Sequence, residues 1–215
     1  MAKVKHTENH YTYWIMQWQR RRDKPAKSLN KALELFREIK GSLIVEIGSQ
    51  RTECSDIDEE KDCCIDGHSS ELFAKEGVNF HTCDIDTEAS QLVRNILESK
   101  GLLEGSSIWN GDGIKFLNRG QFPSKIDLLY LDAWDVAPGT PYAENHLTAY
   151  NAAAPYLNDQ HIILIDDTDI AWSDTHGLEI DNQAKAGKGE LLVPFLLDKD
   201  YKLRWEGRQV CLTNY

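Results

Sequence analysis

Several short apolar segments of this chain end in carboxylates. Asp132 follows segment 126–131, and Asp166 with Asp167 follows segment 161–165. If these segments are neighbouring parallel strands, their carboxyl ends meet at one edge of the sheet and the three side chains converge. An all-oxygen set of this kind suits a hard cation, so the three aspartates are predicted to bind Mg²⁺ or Mn²⁺. The alternative is that one of the two adjacent aspartates caps the next segment and no metal binds.

Acids also stand at the ends of earlier segments. They are Glu46 in LIVEIGS, Asp84 in CDID and Asp112 in NGDG. Two carboxylates about 4 Å apart repel by on the order of 4 kcal/mol at an effective dielectric near 20. A row of acids along one sheet edge therefore requires cationic ligands or a metal ion between its members.

The elements that would position these acids alternate in type. From Ser42 onwards, short apolar runs alternate with amphipathic segments, as in the βαβ units of a parallel sheet. Strands are predicted over 43–47, 78–83, 107–109, 126–131 and 161–165, with helices over 69–75, 88–99, 113–117, 145–157 and 190–197. Two last strands, 201–205 and 209–213, flank a tight turn. The predicted fold class is α/β, a Rossmann-like doubly wound, mostly parallel sheet with a C-terminal antiparallel hairpin.

Residues 1–41 are predicted to form an N-terminal helical extension, and residues 42–215 to form one domain. Tyr11, Trp14 and Trp18 recur at helical spacing, and a second amphipathic helix follows a proline break. The aromatic stripe of the first helix is a candidate face for a homodimer.

Composition excludes several classes of protein. The net charge of -11 argues against a protein that grips a phosphate backbone, so no nucleic acid partner is expected. There is no apolar run of the roughly 20 residues that span a membrane and no secretory signal, so a cytoplasmic location is expected. The five cysteines form no C-x-x-C pair and are expected to be reduced.

From residue 42 to the C-terminus, the motifs resemble those of the class I S-adenosylmethionine-dependent methyltransferases. LIVEIGS, CDID, NGDG, IDLLYLDAW and IILIDD fall where that family has its successive motifs. The resemblance implies that the turn after the first strand lies by the methionine part of the cofactor, that Asp84 holds the ribose hydroxyls, and that Asp112 holds the adenine amino group. The full set of implied cofactor contacts is Glu46, Gly48, Ser49, Asp84, Asp112 and Asp132.

Within that class, Asp132 followed by Asp166 and Asp167 is similar to the metal-dependent small-molecule O-methyltransferases. This resemblance implies methyl transfer to a hydroxyl of a small molecule, with the aspartates holding Mg²⁺. Because methyl transfer requires an aligned and deprotonated nucleophile, a general base is also expected. Asp135 is the first candidate and His146 the second, with a helix-surface position as the alternative for His146. No lysine of the sequence corresponds to the general base of the catechol-type enzymes.

Two other functions stay open. One is a protein that binds S-adenosylmethionine or its demethylated product without catalysis, which would lack a converging metal and base cluster. The other is a nicotinamide-dependent oxidoreductase, which is disfavoured because the chain lacks G-x-G-x-x-G after its first strand. Segment 51–66 is predicted to be a loop over the cofactor, and segment 168–189 a lid or substrate loop.

Overall fold

The computed structural model describes residues 25–53, 68–173, 177–180 and 187–215. The helices in these ranges are α1 (Pro25–Glu38), α2 (Ser69–Ala74), α3 (Thr87–Ser99), α4 (Gly113–Arg119), α5 (Tyr142–Ala153) and α6 (Leu192–Leu197). The strands are β1 (Leu43–Ile47), β2 (Asn79–Asp84), β3 (Ser106–Asn110), β4 (Ile126–Leu131), β5 (Leu157–Ile165), β6 (Ile170–Ser173), β7 (Gly177–Ile180), β8 (Lys202–Trp205) and β9 (Val210–Thr213). Short 3₁₀ helices occupy Ala154–Tyr156 and Gly187–Gly189.

Seven strands form one sheet in the order β3-β2-β1-β4-β5-β9-β8. Strands β1 to β5 are parallel, whereas β9 is antiparallel to β5 and to β8. The predicted mostly parallel sheet with a C-terminal antiparallel hairpin is therefore confirmed. The strand order reverses between β1 and β4, and a crevice for ligands is expected at the carboxyl ends of these strands.

The central strands are buried on both faces. Val45 and Leu129 belong to a core covered by α4, α5 and α6, while Ile44 and Leu128 belong to a core covered by α1, α2 and α3. Because successive side chains of a strand point to opposite faces, Glu46 lies on the same face as Ile44. This alternation directs the carboxylate of Glu46 towards α2.

Helix α1, from the predicted extension, packs directly on the sheet. Leu29, Leu33 and Phe36 are at most 1% exposed and belong to the same core as Ile44. The candidate dimer stripe lies outside the described residues, and so does most of the predicted cofactor loop 51–66.

Several predicted segments differ from the structure in their bounds; β5, for example, begins at Leu157 and not at residue 161. The predicted helix 145–157 begins at Tyr142 and ends at Ala153, after which a 3₁₀ turn containing Pro155 leads into β5. Proline lacks the N–H that an α-helix requires, which explains the earlier end. In the predicted loop 168–189, β6 pairs with β7 as an antiparallel hairpin.

None of the helices within the described ranges combines the length and apolar character that crossing a bilayer requires. Cys83 and Cys211 are buried free thiols, and the other three cysteines lie outside the described residues. A cleft of about 560 Å³ opens at the amino ends of β1, β2 and β3, lined by residues such as Ser42, Val78 and Gly105. It lies at the edge of the sheet opposite the carboxylates.

Candidate active site

The turn after β1 runs against the end of β4. Gly48 has a φ of +92°, and a Cβ atom there would lie 2.6 Å from backbone atoms of Asp132 and Ala133. The carbonyl of Ile47 accepts a 2.7 Å hydrogen bond from the backbone N–H of Asp132, and the N–H of Gly48 donates to Cys83 at 2.9 Å. Only glycine fits this turn, which draws the carboxyl ends of β1, β2 and β4 together.

Asp84 ends β2 and faces this turn. Its side chain is buried, and its Oδ2 accepts a 2.8 Å hydrogen bond from the backbone N–H of Ser49. Its Oδ1 accepts a 2.8 Å bond from the N–H of Asp86. The two bonds fix the carboxylate beside the turn after β1.

Asp112 caps α4. Its Oδ1 accepts a 2.8 Å hydrogen bond from the backbone N–H of Lys115, so one carboxylate oxygen satisfies a free N–H group of the first helical turn. The predicted contact of Asp112 with adenine stays a prediction.

Glu46 is completely buried, and neutral hydroxyls surround its carboxylate. Ser69 donates to Oε1 at 2.5 Å, while Ser70 and Thr82 donate to Oε2 at 2.6 Å each. Burial raises the pKa of Glu46 to about 7, although the three hydroxyl groups favour the charged form. Glu46 thus ties α2 to β1 and β2, and its predicted contact with the cofactor stays a prediction.

The structure brings Asp132, Asp166 and Asp167 together, and we call them the aspartate cluster. One carboxylate oxygen from each lies within 4.8 Å of the others. Asp166 and Asp167 are almost completely buried, and Asp167 has a left-handed backbone conformation with φ of 49°. Aspartate tolerates this conformation better than most residues.

A buried cation, Lys188, lies against the aspartate cluster. Its Nζ is 2.6 Å from Oδ1 of Asp132 and 3.2 Å from Oδ2 of Asp167, and it also donates to the carbonyl of Asp132 at 2.8 Å. Burial by itself would lower the pKa of Lys188, but the nearby negative charges outweigh burial and raise it. Lys188 is therefore a charged ammonium in the fold.

Arg208 brings a second positive charge to the cluster. Its Nε lies 3.5 Å from Oδ1 of Asp166, and both side chains are at most 4% exposed. The row of acids in the sequence predicts ligands or a metal ion between its members, whereas the structure places these two internal cations there.

The glycines flanking Lys188 bring it to the cluster. Gly187 has a φ of +57°, and a Cβ atom there would lie 2.1 Å from the carbonyl oxygen of Asp167. A Cβ atom on Gly189 would lie 2.9 Å from a methyl carbon of Thr168. Glycine at both positions permits this close backbone approach.

A chain of buried hydrogen bonds fixes Asp132 from its other side. Tyr130, in β4, donates to Oδ2 of Asp132 at 3.3 Å and accepts from the amide of Gln209 at 3.0 Å. Ser28 of α1 donates in turn to the Oε1 of Gln209. Asp132 is therefore held by Lys188 on one oxygen and by Tyr130 on the other.

The two candidate bases lie in different surroundings. Asp135 is 66% exposed and forms an ion pair with Arg51 at 3.3 Å. His146 is completely buried in α5, so the alternative of a helix-surface position is wrong. Its Nδ1 lies 2.6 Å from the carbonyl of Tyr142, and its ring meets Trp134 edge to face at 5.3 Å between centroids. Burial lowers the pKa of His146 to about 3, so the imidazole is neutral.

No protein-family model and no curated protein matches this sequence. Solved structures of methyltransferases do resemble the fold. A candidate caffeoyl-CoA O-methyltransferase from Staphylococcus aureus aligns with a TM-score of 0.61 at 12% identity, over 97% of this chain and 92% of its own. An O-methyltransferase from Bacillus cereus in complex with SAH aligns with a TM-score of 0.57 at 13% identity, over 87% and 79%.

A third similar structure is the methyltransferase MycE of the mycinamycin pathway in complex with Mg, SAH and mycinamycin VI. It aligns with a TM-score of 0.54 at 14% identity, over 86% of this chain and 47% of its own. The chain therefore has the fold of the class I S-adenosylmethionine-dependent methyltransferases, as its motifs predicted.

Proposed function

We propose that this protein transfers the methyl group of S-adenosylmethionine to a hydroxyl oxygen of a small molecule. The observation that carries the proposal is the arrangement of the carboxyl edge, where Asp84 is hydrogen-bonded to Ser49 and the aspartate cluster lies across the turn at Gly48. The similar folds of O-methyltransferases support it. The net charge of -11 favours a small acceptor over nucleic acid.

The cofactor is proposed to lie over the turn after β1. Glu46, Gly48 and Ser49 would be beside its methionine part, with Asp84 at the ribose hydroxyls and Asp112 at the adenine amino group. Asp84 suits this role because its carboxylate is already oriented by two backbone N–H groups. A carboxylate fixed in this way can accept further hydrogen bonds from a ribose diol without losing side-chain freedom on binding.

The aspartate cluster fits a divalent cation in the chemistry and reach of its donors. Three carboxylates with oxygens within 4.8 Å of one another offer the all-oxygen set that Mg²⁺ or Mn²⁺ prefers. Asp132 would then lie between cofactor and metal. Such an ion would lower the pKa of a coordinated substrate hydroxyl.

Asp135 is the proposed general base. Its exposed carboxylate lies three residues beyond Asp132, at the mouth of the site, where an acceptor hydroxyl can reach it. His146 remains the second candidate. Its low pKa makes it a weak proton acceptor, although its Nε2 has no hydrogen-bond partner among the described residues.

Isothermal titration with S-adenosylhomocysteine, with and without Mg²⁺, tests the cofactor and the metal together. Wild type is expected to bind, and Asp84→Asn is expected to bind about 10- to 100-fold more weakly because a charged hydrogen bond to the ribose is lost. Asp159→Asn is the matched control, since Asp159 is exposed near the opposite edge of the sheet.

The two alternative functions predict different results in these titrations. A nicotinamide-dependent oxidoreductase would bind a nicotinamide dinucleotide and leave S-adenosylhomocysteine unbound, which contradicts the proposal. A non-catalytic binding protein would bind S-adenosylhomocysteine equally well with and without Mg²⁺ and would transfer no methyl group to any of a panel of hydroxylated acceptors.

A further inference from the structure

We propose that Lys188 and a divalent cation exclude each other at the aspartate cluster. In the metal-free protein the ammonium of Lys188 holds the carboxylates together, and a metal ion binds only when this ammonium moves away. The inference rests on the divalent site of the proposed function, which it deepens by assigning the cation that the metal must replace.

The position of Lys188 conflicts with that of a bound metal ion. Nζ of Lys188 contacts two of the three carboxylates, Asp132 at 2.6 Å and Asp167 at 3.2 Å. A divalent ion bound by the cluster would compete with the ammonium for the same carboxylates. An ammonium and a divalent ion cannot occupy one position, and their like charges would repel strongly in a buried site.

The charge balance of the site also opposes simultaneous binding of Lys188 and a divalent ion. Among the described residues, the three carboxylates of the cluster face two positive charges, those of Lys188 and Arg208. The metal-free site is therefore nearly neutralised from within. A divalent ion added beside both cations would leave the site with an excess of positive charge, whereas an ion that displaces Lys188 would not.

Lys188 also has another anion within reach. Oδ1 of Asp135 lies 3.9 Å from its Nζ, and Asp135 is mostly exposed. An ammonium leaving the cluster can therefore turn towards Asp135 and solvent without losing every carboxylate partner. The exchange would move the lysine side chain, whose neighbours Gly187 and Gly189 lie close to Asp167 and Thr168.

The test is titration of Mn²⁺, followed by electron paramagnetic resonance of the free ion, on wild type and Lys188→Met. Lys188→Met is expected to bind Mn²⁺ about tenfold or more tightly, because no resident cation has to leave. Lys188→Arg keeps the charge and is expected to remain within about twofold of wild type. Lys27→Met, at an exposed position of α1, is the matched control for the loss of a lysine.

The possible outcomes separate this inference from the proposed metal site. Tighter binding by Lys188→Met supports the exclusion. If wild type then binds no Mn²⁺ at all, the metal in the proposed function fails while the exclusion stands. Equal or weaker binding by Lys188→Met overturns the exclusion and leaves the metal site intact. Absence of binding in every variant overturns both.

A second pair of variants covers the case in which Lys188→Met does not fold. Asp167→Asn removes one negative charge from the cluster, so that the additional loss of Lys188 leaves less uncompensated charge. The double variant Asp167→Asn with Lys188→Met is expected to bind Mn²⁺ more tightly than Asp167→Asn alone. Equal affinities in this pair, or no binding by either, overturn the exclusion.

Discussion

The carboxyl ends of the parallel strands form one edge of the sheet, and two groups of buried acids along this edge are accommodated in different ways. Where β1 meets β2, Glu46 and Asp84 are surrounded by hydroxyl and backbone N–H donors, which carry no net charge. Where β4 meets β5, the aspartate cluster faces the cations Lys188 and Arg208. Hydrogen-bond donors orient a carboxylate without cancelling its charge, whereas a cation also compensates that charge.

This difference suits different ligands. A carboxylate that is oriented by neutral donors, such as that of Asp84, can orient the hydroxyls of a nucleoside. A cluster whose charge is largely compensated by internal cations is expected to gain a metal ion by exchange. If the two groups of acids responded alike to matched substitutions, this distinction would not hold.

Lys188→Met is expected to cause the largest loss of stability. Removing one partner of a buried ion pair costs about 3 to 5 kcal/mol in free energy of unfolding, because the aspartate cluster keeps its charge without the ammonium. Urea denaturation followed by circular dichroism, with a chelator present, measures the loss.

The matched change beside β1 and β2 is Ser70→Ala, which removes one of the three hydroxyl groups that donate hydrogen bonds to Glu46. It is expected to cost about 1 to 2 kcal/mol, since the remaining two donors still hold the carboxylate. Equal losses in the two variants would show that cations and hydroxyls stabilise their acids to the same extent, and the comparison would fail.

Glu46 is expected to make stability depend on pH. Its pKa is about 7 in the folded protein and near 4.5 in the unfolded chain. Between these values the folded protein binds the proton and the unfolded chain releases it, so the free energy of unfolding falls as pH rises from about 4.5 to 7. The shift corresponds to about 3 kcal/mol.

The measurement compares urea denaturation of wild type and Glu46→Gln across this pH range. Glutamine does not titrate, so the difference between the two curves isolates Glu46 from the other acids. Parallel curves would contradict the raised pKa and would mean that the hydroxyl donors fully offset burial at this end of the edge.

The fold could be predicted from the sequence because its strands are short apolar runs between amphipathic helices. The bounds of β1 and β4 agree with the prediction to the residue. The end of α5 was misplaced because its helical pattern continues through Pro155 into the start of β5, and the periodicity of apolar residues alone does not mark that break.

The convergence of Asp132, Asp166 and Asp167 could also be predicted, since each directly follows an apolar strand or its neighbour. Their counter-ions could not. Lys188 reaches Asp132 across 56 positions of sequence, and its contact depends on the backbone path of Gly187–Gly189. Arg208 lies in the turn of the hairpin, where an arginine is usually exposed. The local pattern of residues contains no information on such distant pairing.

Tyr130→Phe tests whether the aspartate cluster also depends on neutral hydrogen-bond donors. The change removes the hydroxyl that links Gln209 to Asp132 and is expected to cost about 1 to 2 kcal/mol in free energy of unfolding. Tyr150→Phe is the matched control, because it loses a similar buried contact, to the hydroxyl of Tyr201, away from the cluster. If Tyr130 positions Asp132, only Tyr130→Phe should also alter the Mn²⁺ affinity, and equal affinities would contradict that role.

The smallest change in stability is expected for Asp135→Asn. Asp135 is 66% exposed and its ion pairs are long, so the free energy of unfolding should change by less than about 0.5 kcal/mol. The rate of methyl transfer should nevertheless fall by about 10² to 10⁴, the range that a general base contributes. Single-turnover measurement at saturating cofactor, with Asp159→Asn as the control, separates the effect on stability from the effect on rate.

An Asp135→Asn variant that stays folded and keeps its rate would show that Asp135 is not the general base. The remaining candidate would then be the neutral imidazole of His146, whose Nε2 would have to accept the proton despite a pKa near 3.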